Sequence, residues 1–152
     1  MFNWYSNKKV GISFDSIPQI SIRYNLPSMS KEEKKSVERY PFLCKKELKV
    51  YLKDYIKNEL YEFTIPKGYC YDGASIPRFF WRVIGAKTDN KFLISALIHD
   101  VLCENHLYIN NDRTFSTNVF NALLESSGVN CIKRFLMKNS VAFYQTMFCK
   151  WR

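Results

Sequence analysis

Residues 63–81, FTIPKGYCYDGASIPRFFW, and residues 96–106, ALIHDVLCENH, carry most of the side chains in this chain that are able to do chemistry. Gly68 and Gly73 bound a polar loop in the first stretch. Glycine adopts backbone angles that other residues resist, and functional side chains are concentrated on loops held in this way. The candidate site is therefore expected where this loop meets the second stretch.

A β-hairpin is predicted immediately before the loop, over residues 48–65. Apolar and polar residues alternate there as they do in strands with one buried face. The alternating apolar residues are Val50, Leu52 and Ile56 before turn residues 57–59, and Leu60 or Tyr61, Phe63 and Ile65 after them. The second strand leads directly into the glycine-bounded loop.

The second stretch is predicted to lie on a helix over about residues 91–105, with N-cap candidates at residues 88–90. One face carries, at steps of four and three, Phe92, Ala96, His99, Cys103 and His106. His99 is therefore expected to be partly embedded beside apolar neighbours. Asp100 projects about 100° further round the helix, on the face that also carries Glu104.

Shorter elements are predicted on either side of this centre. Before the centre, strands or an extended arm are predicted at residues 10–14 and 20–24, and a short helix runs from the capping box of Ser30 and Glu33 to before Pro41. A helical turn is predicted after Pro77. Further on, a helix that stops at Gly128 carries the apolar stripe Phe115, Val119, Ala122 and Leu123, and a last helix covers residues 129–151. These elements predict an α+β fold, a small antiparallel β-sheet (hairpin) packed against three to four helices.

The chain is expected to divide into an N-terminal arm with a short helix, residues 1–45, and an α+β domain, residues 46–152. Apolar residues of the arm such as Phe14 and Ile22 need a cover, so the arm is a candidate for contact with a neighbouring subunit.

Hydrophobic residues make up 47% of the chain, which is enough for a packed core with little disorder.

The chain is strongly basic, because 23 Lys and Arg residues against 14 Asp and Glu residues give a formal net charge of +9. Such an excess favours acidic partners, which include nucleic acid, anionic lipid and acidic protein surfaces. No nucleic-acid recognition motif accompanies the charge, so a solvated basic surface is the preferred interpretation.

The cysteine pattern and the N-terminal sequence indicate the redox and membrane environment of the protein. Five cysteines, an odd number without C-x-x-C pairs, argue against a disulfide framework and a zinc ribbon. No export signal is recognisable, and no apolar run approaches the roughly 18 residues of a membrane span. We expect reduced thiols and no transmembrane segment.

Three ordered blocks resemble a small domain family of unknown function that tailed bacteriophages and prophages encode. The matching residues are DGASIPR at 72–78, then His99, Asp100 and Leu102 of an H-D-x-L-Y block, then Arg113, Phe120, Ala122 and Leu123 of a block that begins R-x-x-A-D. The resemblance covers about residues 48–151 and implies a phage origin without an established reaction. The chain departs from it at Cys103, where the family has tyrosine, and at Thr117, where it has aspartate.

One hypothesis for this cluster is a hydrolase. His99 would act as general base, because imidazole titrates near neutral pH, and Asp72 with Asp100 would hold a divalent cation, Ca²⁺ or Mg²⁺. A helix with H-D-x-x-Y after a glycine-rich loop is similar to the arrangement in secreted and viral phospholipases. Arg78 and Arg113 are candidate binding residues.

Two further interpretations of the same residues stay open. A zinc site would use His99, Cys103, His106 and Cys70, although His99 and His106 are about 10 Å apart along a helix. Ser75 is a candidate catalytic residue, but it lacks the G-x-S-x-G context of an acyl-transfer nucleophile and suits a helix cap better. Alternatively, Asp72, His99 and Asp100 simply tie the loop to the helix through buried hydrogen bonds.

Two functions from different classes follow. The first is a virion-associated or assembly protein of a tailed phage, in the neck, tail or baseplate, which binds other virion proteins or itself. It would be found in the bacterial host cytoplasm during assembly and in the virion. The alternative is a phage metal-dependent hydrolase that acts on an envelope component, lipid or peptidoglycan.

Overall fold

A computed structural model describes residues 2–71, 90–105 and 109–148 of the chain, and this part contains seven strands and four helices. The strands are β1 (Phe2–Ser6), β2 (Val10–Phe14), β3 (Ile20–Ile22), β4 (Phe42–Cys44), β5 (Leu48–Asp54), β6 (Glu59–Ile65) and β7 (Cys70–Tyr71). The helices are α1 (Lys31–Arg39), α2 (Asn90–Glu104), α3 (Arg113–Ser126) and α4 (Cys131–Phe148). The predicted α+β class is confirmed, with two antiparallel sheets in place of one.

The larger sheet has the strand order β1-β2-β5-β6, and all of its pairs are antiparallel. The predicted hairpin is its β5–β6 half. Leu52 pairs with Tyr61 and Lys53 pairs with Leu60, so Tyr61 points into the core while Leu60 is 77% exposed. Ile56 does not continue the buried row, because it lies in the turn and is 65% exposed.

Residues before position 45 contribute strands to both sheets. β2 pairs with β5 in the larger sheet, and the smaller sheet has the order β3-β4-β7. Burial, followed by the Glu125 carboxylate of α3, raises the pKa of Tyr5 in β1. The N-terminal segment thus shares its core with residues beyond position 46, while its contact with another subunit stays a prediction.

Local signals in the sequence set the ends of the helices. The Ser30 hydroxyl accepts a hydrogen bond from the Glu33 amide at 3.2 Å, and the Glu33 carboxylate accepts one from the Ser30 amide at 2.7 Å. This is the predicted capping box, and α1 ends at Arg39, before Pro41. Gly128 follows α3 with a φ of +81°, a conformation that favours glycine.

Helix α3 covers the inner face of the larger sheet. Its predicted stripe, Phe115, Val119, Ala122 and Leu123, is buried. Phe115 stacks on Tyr61 of β6, with ring centroids 4.7 Å apart. The N-cap residue Asp112 accepts a hydrogen bond from the Phe115 amide at 2.7 Å and forms an ion pair with Lys57 of the hairpin turn. The hairpin therefore fixes where α3 begins. The turn predicted after Pro77 lies outside the described residues.

The register of the hairpin predicts that truncating two nearby leucines lowers the stability of the protein by very different amounts. Leu52 is 2% exposed, so Leu52→Ala leaves a cavity and is expected to lower the free energy of unfolding by roughly 2–5 kcal/mol. Leu60→Ala, the matched control on the outer face, is expected to change it by less than about 0.5 kcal/mol. Urea denaturation followed by circular dichroism measures both values. Equal losses would contradict this register.

Candidate functional site

The predicted site residues fall into two groups. Asp72, Ser75, Arg78 and His106 lie outside the described residues. His99 and Asp100 lie on α2, and Arg113 is the first residue of α3. The described part of the site is therefore built on α2 and its neighbours.

His99 is buried where α2 packs against α3. The residue is only 6% exposed, and its ring lies 5.1 Å from the ring of Phe120, centroid to centroid. Burial lowers the pKa of His99 to about 4, because desolvation disfavours the charged imidazolium. The side chain is thus more deeply embedded than the helical pattern predicted, and it is neutral at neutral pH.

Two polar side chains of α2 lie next to the imidazole. The Nδ1 atom of His99 is 3.9 Å from Oδ1 of Asp100, and both of its ring nitrogens are 3.7 Å from Sγ of Cys103. Cys103 is the position where the resembled family has tyrosine. A neutral imidazole, a carboxylate and a thiol therefore form one cluster on a single helix.

The facing position on α3 is Thr117, where the resembled family has aspartate. Thr117 and Phe120 are three residues apart and so share one face of the helix. Thr117 is buried, and its hydroxyl donates a hydrogen bond to the Arg113 carbonyl at 3.0 Å. The hydroxyl is satisfied within its own helix and adds no charge to the cluster. The Arg113 side chain is exposed.

Tyr71 of β7 and Tyr69, which lies just before the strand, both contact α2. The Tyr71 hydroxyl donates to the Leu93 carbonyl at 2.9 Å, and the Tyr69 hydroxyl donates to the Glu104 carboxylate. Burial, followed by nearby negative charge that includes Asp100, raises the pKa of both tyrosines. Tyr69 and Tyr71 lie between Gly68 and Gly73, so the described part of the glycine-bounded loop contacts α2. Sequence reasoning missed these tyrosines, although their Y-x-Y spacing was visible in the loop.

The donors in the described ranges do not assemble a metal site. Within residues 2–71, 90–105 and 109–148, no three His, Cys, Asp or Glu side chains are placed to hold a metal ion. Of the proposed cation ligands only Asp100 is described. Of the proposed zinc ligands, Cys103 is beside His99, whereas the Cys70 thiol donates to the Gly68 carbonyl at 3.3 Å. Both metal hypotheses stay predictions, since each also needs a ligand outside these ranges.

These features define an α+β protein with a neutral histidine buried between two helices, next to a strand that leads into a glycine-bounded loop. The chain belongs to the family described as Protein of unknown function (DUF1353), whose model matches residues 49–141. This confirms a domain of unknown function over the range that the sequence resemblance indicated. A phage origin stays a prediction.

One curated relative is the Uncharacterized protein y4jT of Sinorhizobium fredii, which is 42% identical over 43 residues. The match covers 28% of this chain and 13% of the relative. No solved structure matches the chain. Among the described helices, none is long and apolar enough to cross a membrane.

Burial of His99 predicts a pH dependence of stability. The pKa of His99 is about 4 in the folded state and about 6.5 in the unfolded state, so the unfolded state binds more protons between these values. Above about pH 6.5 the histidine is neutral in both states and does not lower the free energy of unfolding. As the pH falls from there towards about pH 4, the free energy of unfolding decreases by an amount on the order of 3 kcal/mol.

Urea titrations across this range measure the effect. His99→Leu is expected to flatten the part of the pH dependence that His99 causes, while His106→Leu, the matched control, leaves it in place. A wild-type slope in His99→Leu would contradict the neutral buried histidine.

Proposed function

We propose that this protein is an assembly or virion-associated component of a tailed phage or prophage and that it acts by binding other virion proteins. The observation that carries the proposal is the exposed apolar surface of the segment between β2 and α1. Ile17, Tyr24 and Leu26 are 61%, 70% and 52% exposed. All three lie within ten residues of one another in the sequence, and apolar side chains that are exposed close together mark sites of protein contact. The resemblance to phage-encoded domains supplies the biological setting.

The cluster around His99 suits this proposal. A histidine that is neutral at neutral pH and packed against Phe120 lets α2 and α3 meet without a buried charge. Tyr71 joins β7 to the same helix through its bond to the Leu93 carbonyl. In this interpretation the polar residues of the cluster hold the domain together, and the exposed segment makes the contacts.

Purified particles test the assembly role. Mass spectrometry is expected to find the protein at a fixed stoichiometry in virions, and the double variant Tyr24→Ser with Leu26→Ser is expected to lower its incorporation by at least about tenfold, as hot-spot residues do. Ile132→Ser with Phe135→Ser, an equally exposed pair on α4, is the matched control. Particles without the protein, or loss with the α4 pair alone, would contradict the proposal.

A second candidate is a hydrolase, which the contacts of His99 favour. A general base has to be unprotonated, as His99 is at neutral pH, although its pKa of about 4 makes it a weaker base than an ordinary histidine. The Asp100 carboxylate lies 3.9 Å from its Nδ1 atom. Tyr71, next in sequence to the candidate ligand Asp72, hydrogen-bonds to the Leu93 carbonyl of the helix that carries His99. These contacts are what favour a hydrolase as the second candidate.

Envelope substrates test this candidate. The full chain is incubated with phospholipid vesicles or peptidoglycan, and released fatty acid or fragments are measured with and without EDTA. Removing a general base is expected to lower the rate by about 10²- to 10⁴-fold in His99→Gln, with Cys131→Ser as a surface control. Thermal melts establish that the variant folds. Release that His99→Gln and EDTA leave unchanged would exclude the hydrolase.

A further inference from the structure

The outer face of the larger sheet, opposite α3, forms an open groove of about 780 Å³. Its lining includes Gly11 and Ser13 of β2, Tyr51 and Lys53 of β5, and Tyr55 of the hairpin turn. Small residues on β2 thus leave room beside larger aromatic and basic residues on the next strand. The groove is separate from the cluster around His99.

Basic and aromatic residues alternate along the outer side of β5. Because side chains of a strand alternate between faces, the buried Leu48, Val50 and Leu52 place Lys49, Tyr51 and Lys53 on the outer side. Tyr55 continues the series just after the strand. β5 pairs with β2 on one side and β6 on the other, so this row runs along the middle of the sheet.

Tyr55 lies across the sheet and does not project freely into solvent. A Cβ atom added at Gly11 would be 2.9 Å from the Tyr55 hydroxyl oxygen, so the ring depends on the absence of a side chain there. The hydroxyl is 3.3 Å from Oγ of Ser6, and Nζ of Lys53 is 5.5 Å from the ring centroid. The ring is thereby held as a platform beside a cation.

Positive charge is concentrated at the Tyr55 end of this row, whereas Asp15 lies at the Lys49 end, where its carboxylate accepts a hydrogen bond from the Lys49 amide at 3.0 Å. The Tyr55 amide donates to the Lys9 carbonyl at 2.9 Å, which brings the turn with Lys8 and Lys9 to the end of the groove that already carries Lys53. Glu62 is the acidic residue of the lining. The chain as a whole has a net charge of +9, so the surface suits a polyanion.

We propose that this groove binds single-stranded nucleic acid, with bases stacked on Tyr51 and Tyr55 and phosphates held by Lys53 and by the adjoining turn with Lys8 and Lys9. Proteins bind single strands by combining a basic groove with aromatic side chains on which bases stack. A duplex keeps its bases stacked inside and admits a helix or a two-stranded ribbon into its major groove, so a four-stranded face suits unpaired bases better. An acidic peptide would satisfy the lysines without using the rings.

Fluorescence anisotropy of the full chain with labelled oligo(dT) and oligo(U) of about 15 nucleotides tests the proposal. Binding is expected to weaken roughly tenfold or more in Tyr51→Ala and in Tyr55→Ala, and to be retained in Tyr51→Phe, which keeps the ring. Gly11→Ala is expected to weaken binding because it displaces Tyr55. Phe135→Ala, which removes an exposed aromatic ring of α4 outside the groove, is the matched control and is expected to bind as the wild type.

The salt dependence of nucleic-acid binding measures the contribution of the lysines separately from that of the tyrosine rings. Lys53→Gln is expected to reduce the slope of log K against log salt by about 0.7, the contribution of one phosphate contact on a single strand. Lys34→Gln on α1 is expected to leave the slope unchanged. The proposal is overturned if no binding occurs at about 50 mM salt, if Tyr51→Ala binds as tightly as wild type, or if duplex or polyglutamate competes as well as the single strand.

Discussion

The alternation of side chains along β5 is the constraint on which both sides of the larger sheet depend. Leu48, Val50 and Leu52 point towards the helices, and the residues between them point outwards. A slip of one residue would exchange the two sets and place lysines in the core. Because β5 pairs with both β2 and β6, its register also fixes which residues of those strands are buried.

Aromatic contacts join the first helix to this sheet and the second helix to the first. Phe115 of α3 stacks on Tyr61 of β6, and one turn and a half later Phe120 packs against His99 of α2. A protonated imidazole at that place would lose its water, and this desolvation keeps the pKa of His99 low even though Asp100 lies 3.9 Å away. Because His99 is neutral, the two helices pack closely around it without burying a charged imidazolium.

Much of the fold was predictable because its signals are local. The hairpin, the capping box of α1 and the stop at Gly128 each depend on residues close together in sequence, and all three are confirmed. The choice between Leu60 and Tyr61 was also open to a local argument, since only Tyr61 keeps the step of two with Phe63 and Ile65. The pairing of Tyr61 with Leu52 and its burial agree with that step.

The pairings between distant segments were the part that local patterns could not provide. β2 enters the sheet beside β5, from about forty residues earlier in the chain, and β4 joins β7. Likewise, the Tyr69 contact with Glu104 spans 35 residues. Residues 10–14 were therefore compatible with an arm on sequence grounds, whereas their buried side chains complete the core of the sheet.

The buried cluster around His99 and the outer groove are independent in position, because they lie on opposite sides of the larger sheet. His99 is on the helical side, beyond α3, whereas Tyr51 and Lys53 line the outer groove. A ligand in the groove cannot touch the imidazole, and any coupling would have to pass through the packed side chains of β5 and α3. Substitutions of outward-facing residues leave that packing intact. Binding at the groove and chemistry or packing at α2 can therefore be separated by mutation, so that one property can be lost while the other is retained.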